Sequence, residues 1–222
     1  MSIRKRYDED LLALDQALTG MGRAAADAVR AAIGVLQTGD KAAARRIIAG
    51  DEGIDTMERD IEHRCMQLLL RQQPVARDLR RVSTALKMVT DIERMGDHAA
   101  DIAEIVLTLD LNDACCRALM PAVVEMAQAA LDMDEAAVRA FVAEDGDAAL
   151  KVIAQDDVVD GQFNTIKTAI AAAIAQNVNE IDAAMDLLMI AKYLERLGDH
   201  ATNVAEWVRF LKTGLYRGQQ IV

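Results

Sequence analysis

The chain has 222 residues, a formal net charge of −11 at pH 7, and 52% hydrophobic but only 3% aromatic residues. The acidic charge disfavours nucleic acid and anionic membranes as direct partners, because phosphate groups recruit basic surfaces. This aliphatic composition, with only two prolines, favours packed helices over a sandwich or barrel and predicts an all-α fold.

Apolar residues that recur every three or four positions predict six long helices. The first extends from about Tyr7 to Leu36, and Thr38-Gly39-Asp40 supplies its end and the cap of the second. The others are placed at about Lys41–Arg71, Ala76–Leu109, Pro121–Glu144, from Gly146-Asp147 to Gln176, and from the break at Asn177–Asn179 to Thr213.

Three segments interrupt or follow these helices. Gly50 and Gly53 are expected to loosen the second helix, because glycine lowers helix propensity. The poorly patterned stretch of residues 110–120 is predicted to connect two halves of the chain, with Pro121 in the first turn of the fourth helix. The tail Gly214–Val222 is expected to be frayed.

The chain contains an internal duplication. Residues Glu93–Glu104 and Glu195–Glu206 are identical at eight of twelve positions, and similarity at one fixed spacing indicates a repeat. The order Gly-Asp and then a run of acids before each segment also recurs. We therefore predict two tandem three-helix bundles, at residues 1–110 and 111–222, in an elongated molecule.

Acidic side chains form a column on one face of the third and sixth helices. Helical spacing places Glu93, Asp97 and Asp101 above one another, and Glu104 continues the row. Adjacent like charges cost a few tenths of a kcal/mol per pair, and the nearest positions, such as Thr90, hold no base. A solvated face is one explanation, but the duplication favours a bound hard cation.

The second half repeats the column, and each half adds an acidic pair one helix earlier. The repeated column contains Glu195, Asp199, Asn203 and Glu206. The pairs are weaker candidates, because they also fit ordinary acids in the first turns of a helix. The pairs are Asp51 with Asp55 and Asp156 with Asp160.

Residues beside the columns suggest supporting roles. His98 and His200 project about 100° away from the acids. We therefore expect them to pack against neighbouring helices or to hydrogen-bond to a metal-binding side chain, and not to bind the metal themselves. Gly96 and Gly198 lie mid-helix, which suggests close approach of another helix. Arg94 and Arg196, three residues before Asp97 and Asp199, are adequately explained as surface ion pairs.

No motif in the chain indicates an enzyme. A P-loop, a dinucleotide turn, G-x-S-x-G, H-E-x-x-H and the E-x-x-H pair of di-iron bundles are all missing. The residues leave open a metal-braced regulator, a metal-dependent phosphoesterase or a purely structural helical protein. The three cysteines lack C-x-x-C spacing. The basic cluster Arg4-Lys5-Arg6 is not followed by an apolar run, and the apolar run Ala169–Ala175 is too short to span a membrane. We therefore predict a cytoplasmic protein without direct membrane insertion.

Two segments resemble the PhoU family of bacterial phosphate-uptake regulators, and the resemblance covers almost the whole chain. They are Gln73–Arg80 and Asp91–Ala99, with the second repeated around Glu195. The resemblance implies duplicated three-helix bundles that bind divalent or iron ions, in multinuclear clusters, through E/D-x-x-x-D motifs. The implied ligands are Glu93, Asp97, Asp101, Glu195, Asp199, Asn203, Asp51, Asp55, Asp156 and Asp160.

The resemblance also implies a pathway. It predicts a cytoplasmic adaptor between the ATPase subunit of the phosphate ABC transporter and the phosphate-sensing histidine kinase. Such an adaptor limits phosphate uptake and suppresses the phosphate-starvation response, and we expect it to be a homodimer. Asp101 stands where family members often have Asn, so tighter binding or a different nuclearity is expected at the first site.

Overall fold

The computed structural model describes residues 3–176 and 181–220 and confirms the all-α architecture. A two-stranded antiparallel hairpin follows the last helix. The elements are α1 (Ile3–Thr38), α2 (Lys41–Gln72), α3 (Ala76–Val106), α4 (Ala114–Val142), α5 (Gly146–Gln176), α6 (Ile181–Thr213), β1 (Leu215–Tyr216) and β2 (Gln219–Gln220). The break predicted at Asn177–Asn179 lies outside the described residues. Gly50 and Gly53 do not interrupt α2.

The α1–α2 connection follows the predicted signal. Gly39 has a φ of +67°, a left-handed conformation that glycine adopts without steric cost. The Asp40 carboxylate accepts hydrogen bonds from the amides of Ala42 and Ala43 and thereby caps α2. In the second half the cap is Asp145 rather than Asp147, because its carboxylate reaches the free amides of the first turn of α5.

The fourth helix begins earlier than predicted, at Ala114 instead of Pro121. Asp113 caps it by accepting from the amides of Cys115 at 2.8 Å and Cys116 at 3.4 Å. Both cysteines are buried, so this segment belongs to the core and is not a free connector. Pro121 therefore lies inside the helix, not in its first turn.

The tail after α6 is ordered as a hairpin, so the prediction of fraying is wrong for the described residues up to Gln220. Leu215 pairs with Gln220 and Tyr216 with Gln219. The Tyr216 ring stacks on Trp207 of α6 at a centroid distance of 4.0 Å. This aromatic contact holds the hairpin against α6.

The two bundles share one hydrophobic core. Packing of α3 on α6 and of α1 on α4 joins the half formed by α1–α3 to the half formed by α4–α6. The core therefore continues from Met95 on α3 to Leu197 on α6, both fully buried. The acidic columns lie on these two central helices, beside the contact between the halves.

By length and composition, α4 is the one helix within residues 3–176 and 181–220 that is apolar enough to cross a membrane. Charged residues such as Arg117 and Glu125 interrupt its apolar sequence, so the expectation, which concerned uninterrupted apolar runs, is not contradicted. Residues such as Met126 and Ala130 are fully buried in the shared core. An apolar core helix passes the same test, so α4 is weak evidence for a membrane span.

Candidate metal sites

Three carboxylates from two helices converge in the first half. Asp51 and Asp55 of α2 and Asp97 of α3 each offer an oxygen, and these oxygens lie within 4.8 Å of one another. All three side chains are half-buried between the helices. Burial, followed by the nearby charge of Asp97, raises the pKa of Asp51 from 3.8 to about 6. The predicted column and the predicted pair therefore form one cluster.

Glu93 extends this cluster by one helical turn. Its side chain is only 14% exposed, and burial, then the charge of Asp97, raises its pKa from 4.5 to about 7. Arg94 lies on the solvent side, 2.6 Å from Asp97 Oδ2 and 3.4 Å from Glu93 Oε2. The predicted Arg94–Asp97 ion pair is confirmed. Within residues 3–176 and 181–220, this single base leaves several acids of the cluster, such as Asp51 and Asp55, without a positive partner.

Gly96 allows α2 to approach α3 closely at the cluster. A Cβ atom at this position would lie 2.8 Å from Ile54 Cδ1 and 3.2 Å from Asp51 Oδ1. The close approach predicted from the mid-helix glycine is therefore confirmed. Because glycine admits the Asp51 carboxylate so near the α3 backbone, the acids of two helices can share one small volume.

The chemistry of these residues fits a hard cation. Asp51 Oδ1 is buried and accepts no hydrogen bond from any residue in the described ranges. Buried oxygens usually have a partner, and a carboxylate without one among several other acids offers a lone pair to a positive ion. Divalent cations and iron accept such oxygen ligands. We conclude that the first cluster is suited to bind these ions.

Sequence reasoning missed one acid of the cluster, Glu58. Its pKa is raised by burial and by the charge of Glu62, and its own charge in turn raises the pKa of Glu93. Thr90 on α3 lies near the Glu58 carboxyl group and lowers its pKa. Continuing the Asp51 and Asp55 row along α2 by three residues would have identified it.

The second half brings together similar residues less closely. Asp156 of α5 is half-buried, and burial followed by the charge of Asp160 raises its pKa. Partial burial, followed by the charge of Glu195, raises the pKa of Asp199, although the residue is exposed. Asp160 is exposed. In the part of the chain that the structure describes, no three acids of this half converge as Asp51, Asp55 and Asp97 do.

Gly198 is the counterpart of Gly96, with more space around it. A Cβ here would lie 3.6 Å from Asp156 Oδ1 and 3.4 Å from Val159 Cγ1, which are ordinary contacts. Close approach of α5 to α6 is thus confirmed, but α5 stands slightly farther from its partner helix than α2 does.

The second column also has a base whose role was not predicted from the sequence. Lys192, one turn before Glu195 on α6, forms an ion pair with the Glu195 carboxylate. Its charge also lowers the pKa of Asp199. The two columns therefore differ, since the position equivalent to Lys192 in the first column is Thr90.

The third residue of each column turns towards the contact between the halves. Asp101 Oδ2 lies 3.2 Å from His98 Nδ1, and the Asp101 charge still raises the pKa of Asp51. Asn203 donates from Nδ2 to Asp91 Oδ1 at 3.1 Å and accepts from Arg217 at 2.8 Å. Both polar ends of Asn203 are therefore engaged away from Asp199.

The histidines occupy the predicted supporting positions. His98 is buried between α3 and α6 beside Tyr193, with ring centroids 5.4 Å apart. His200 Nδ1 lies 2.9 Å from Asp91 Oδ1. Arg196 is exposed, and the ion pair predicted between it and Asp199 is not formed within residues 3–176 and 181–220.

Comparison with known proteins identifies the same repeat. A model of the PhoU domain matches residues 18–106 and 123–208. A phosphate-specific transport system accessory protein PhoU homolog of Clostridium acetobutylicum is 34% identical over 212 residues, 95% of this chain and 96% of that protein. The homolog of Xylella fastidiosa strain 9a5c is 36% identical over 218 residues, 96% of this chain and 89% of that protein.

Solved structures of similar proteins share the whole fold. The phosphate transport system regulatory protein PhoU of Streptococcus pneumoniae superimposes with a TM-score of 0.88 at 28% identity, covering 95% of this chain and 98% of that one. PhoU of Pseudomonas aeruginosa gives 0.82 at 31% identity, covering 94% and 100%. Because these relatives are named accessory or regulatory proteins, the chain is not an enzyme, and the phosphoesterase alternative is excluded.

Proposed function

Because this chain belongs to the PhoU family, we propose that it regulates phosphate transport and that bound metal ions brace its helices for contact with partner proteins. The role in phosphate transport is supported by relatives named as accessory proteins of that system. The metal-braced mechanism is supported by one observation above all, the convergence of Asp51, Asp55 and Asp97 around a buried oxygen that lacks a hydrogen-bond donor among the described residues.

Each half contributes its own acids to this mechanism. In the first half, Asp51, Asp55, Glu93 and Asp97 would hold the ion, with Asp101 at the edge of the cluster. In the second half, Asp156, Asp160, Glu195 and Asp199 are the candidates, while Asn203 would have to release Asp91 and Arg217 to join them. The metal supplies positive charge that offsets repulsion between acids on adjacent helices. The acids that hold it would thereby tie α2 to α3 and α5 to α6.

The proposed setting is the cytoplasm, where the protein contacts the inner membrane only through its partners. These partners are the ATPase subunit of the phosphate transporter and the phosphate-sensing histidine kinase. By binding both, a homodimer of this chain limits phosphate uptake and suppresses the phosphate-starvation response when phosphate is plentiful. A rigid helical surface suits such docking, because preorganised surfaces lose less entropy on binding.

Metal bracing is tested by stability. An ion that binds only the folded state must raise the melting temperature by mass action. We expect Mn²⁺, Fe²⁺, Mg²⁺ or Ca²⁺ to raise the melting temperature of chelator-treated protein, and metal analysis of the purified protein to detect bound ions. If no ion is detected and none of the four raises the melting temperature, the bracing mechanism is wrong.

The regulatory role is tested in cells that lack their own family member. Expression of this chain should lower phosphate uptake and silence a phosphate-starvation reporter in phosphate-rich medium. The variants Asp97→Asn and Asp199→Asn, expressed to the same level, should restore neither property fully. Unchanged uptake and reporter activity on expressing the wild-type chain would contradict the role, whatever its metal content.

A further inference from the structure

The two halves differ at one pair of contacting positions beside the acids. In the first half, Thr90 of α3 lies beside Glu58 of α2 and lowers the pKa of its carboxyl group. In the second half, the equivalent positions hold Lys192 on α6 and Phe163 on α5, and the Lys192 Nζ lies 5.3 Å from the centre of the Phe163 ring. The duplication has therefore exchanged a hydroxyl–acid pair for a base–aromatic pair.

This exchange changes the charge of the second half twice. Replacement of the glutamate by Phe163 removes an acid, and Lys192 adds a base that bonds to Glu195. Phe163 also holds the ammonium in place, since a cation is attracted to an aromatic face within about 6 Å. Lys192 is thus fixed against the column by a carboxylate on one side and a ring on the other.

The arrangement of the acids agrees with this difference. In the first half three carboxylates converge and a buried oxygen, Asp51 Oδ1, has no donor among the described residues. Each half has one base against its column, Arg94 beside Asp97 in the first and Lys192 beside Glu195 in the second. The second half has fewer acids to offset, because Asn203 and Phe163 replace an aspartate and a glutamate of the first half, and Asp199 is open to solvent. The negative charge that no nearby base offsets is therefore greater in the first half.

We infer that Lys192 serves as a resident cation of the second half, so that divalent ions load the cluster of Asp51, Asp55 and Asp97 first and bind beside Glu195 only more weakly. This inference rests on the proposed function, because it assumes that the clusters bind metal. A fixed positive charge a few ångströms from an incoming divalent ion weakens its binding on the order of tenfold even at a solvated site. Lys192 is in this sense a residue that sets the order of loading.

The test is a titration of metal-free protein with Mn²⁺, in which electron paramagnetic resonance measures the free ion. Wild-type protein should show a tight class of sites, lost in Asp97→Asn, and a weaker class, lost in Asp199→Asn. In Lys192→Met, which keeps an aliphatic chain over Phe163, the weaker class should tighten on the order of tenfold and the tight class should not change.

A matched variant introduces a lysine at the equivalent position of the first half. Thr90 is exposed on α3, so Thr90→Lys can place an ammonium beside Glu58 and Glu93 without disturbing the core. We expect it to weaken the tight class and to leave the other class unchanged. Circular dichroism and the melting temperature of the metal-free proteins check that each variant is folded.

The outcomes separate this inference from the function on which it rests. If wild-type protein binds Mn²⁺ equally in both halves, or Lys192→Met leaves the weaker class unchanged, the role of Lys192 is wrong while metal bracing stands. If the class that tightens in Lys192→Met is the one lost in Asp97→Asn, the assignment to halves is wrong. If no variant binds Mn²⁺ and it raises no melting temperature, both proposals fail.

Discussion

The imidazole rings of His98 and His200 lie 5.6 Å apart, centre to centre, where α3 crosses α6. Each histidine contacts a residue of the other half. His98 packs against Tyr193, and His200 forms a hydrogen bond with Asp91. Tyr193 and Asp91 occupy equivalent positions in the two halves. An approximate twofold axis therefore passes between the histidines and relates the two candidate metal sites.

Asp91 is the polar centre of this contact, and its removal should destabilise the protein. Its carboxylate accepts from His200 at 2.9 Å and from Asn203 at 3.1 Å. In Asp91→Ala both groups lose their acceptor in a half-buried position, so the free energy of unfolding should fall by roughly 1–3 kcal/mol in urea titrations. Glu125→Ala, an exposed acid on α4, is the control. Equal effects of the two substitutions would show that the bonds to Asp91 do not stabilise the contact.

The two mid-helix glycines should respond oppositely to alanine. In Gly96→Ala the new methyl group would lie 2.8 Å from Ile54 Cδ1 and 3.2 Å from Ile54 Cγ2, so the Ile54 side chain must leave its rotamer or α2 must move, at a cost of roughly 1–3 kcal/mol in the free energy of unfolding. In Gly198→Ala the nearest atom is 3.4 Å away, and the gain in helix propensity should stabilise by up to about 1 kcal/mol. Urea titrations of both variants measure the difference. Similar values of the same sign would mean that α2 and α5 approach their partners equally closely.

The carboxyl group of Asp134 on α4 should make stability depend on pH. It is fully buried, neither oxygen accepts a hydrogen bond from a described residue, and burial, followed by the charge of Glu135, raises its pKa from 3.8 to about 7. Folded protein then holds this proton at a pH where unfolded protein has released it. Stability should consequently fall as the pH rises from about 4 to about 7, by roughly 2–4 kcal/mol from this group.

Comparison with Asp134→Asn isolates that contribution. The amide does not titrate, so the free energy of unfolding of the variant minus that of the wild-type protein should increase between pH 4 and 7. Asp132→Asn, at an exposed acid on the same helix, should show no such trend. A pH-independent difference for Asp134→Asn would mean that the carboxyl group stays ionised in the fold.

Periodicity predicted the helices well because each long helix buries one continuous stripe. It failed at the start of α4, where Cys115 and Cys116 are buried and only the Asp113 cap marks the boundary. It also failed for the tail, because the stacking of Tyr216 on Trp207 joins residues on separate elements. Spacing within one helix carries no information about such contacts.

The candidate site was predictable to the same extent. Glu93 and Asp97 share a face of α3 by helical geometry alone, and the structure places Asp51 and Asp55 opposite them. Lys192 stands three residues before Glu195 on the same helix, so its ion pair was within reach of the same spacing argument, whereas its contact with Phe163 depends on how α5 packs on α6. The same limitation applies to Asn203, whose position in the column matches that of Asp101 although its amide bonds to Asp91 and Arg217 across the contact between the halves.

Removal of the Asp51 charge should have opposite effects with and without metal. In chelator-treated protein, Asp51→Asn relieves repulsion from Asp97 and Asp55, the charges that with burial raise the Asp51 pKa. Because the group is partly exposed, screening limits this stabilisation to at most about 1 kcal/mol. With saturating Mn²⁺ the wild-type protein should become the more stable of the two, since the variant has lost a ligand. Melting curves with chelator and with Mn²⁺ measure both effects.

The control is Glu52→Gln, at the exposed neighbouring acid on α2. Its stability relative to the wild-type protein should not change sign between the two conditions. If Asp51→Asn is less stable than wild-type protein even with chelator, its carboxylate stabilises the metal-free fold and the repulsion argument is wrong.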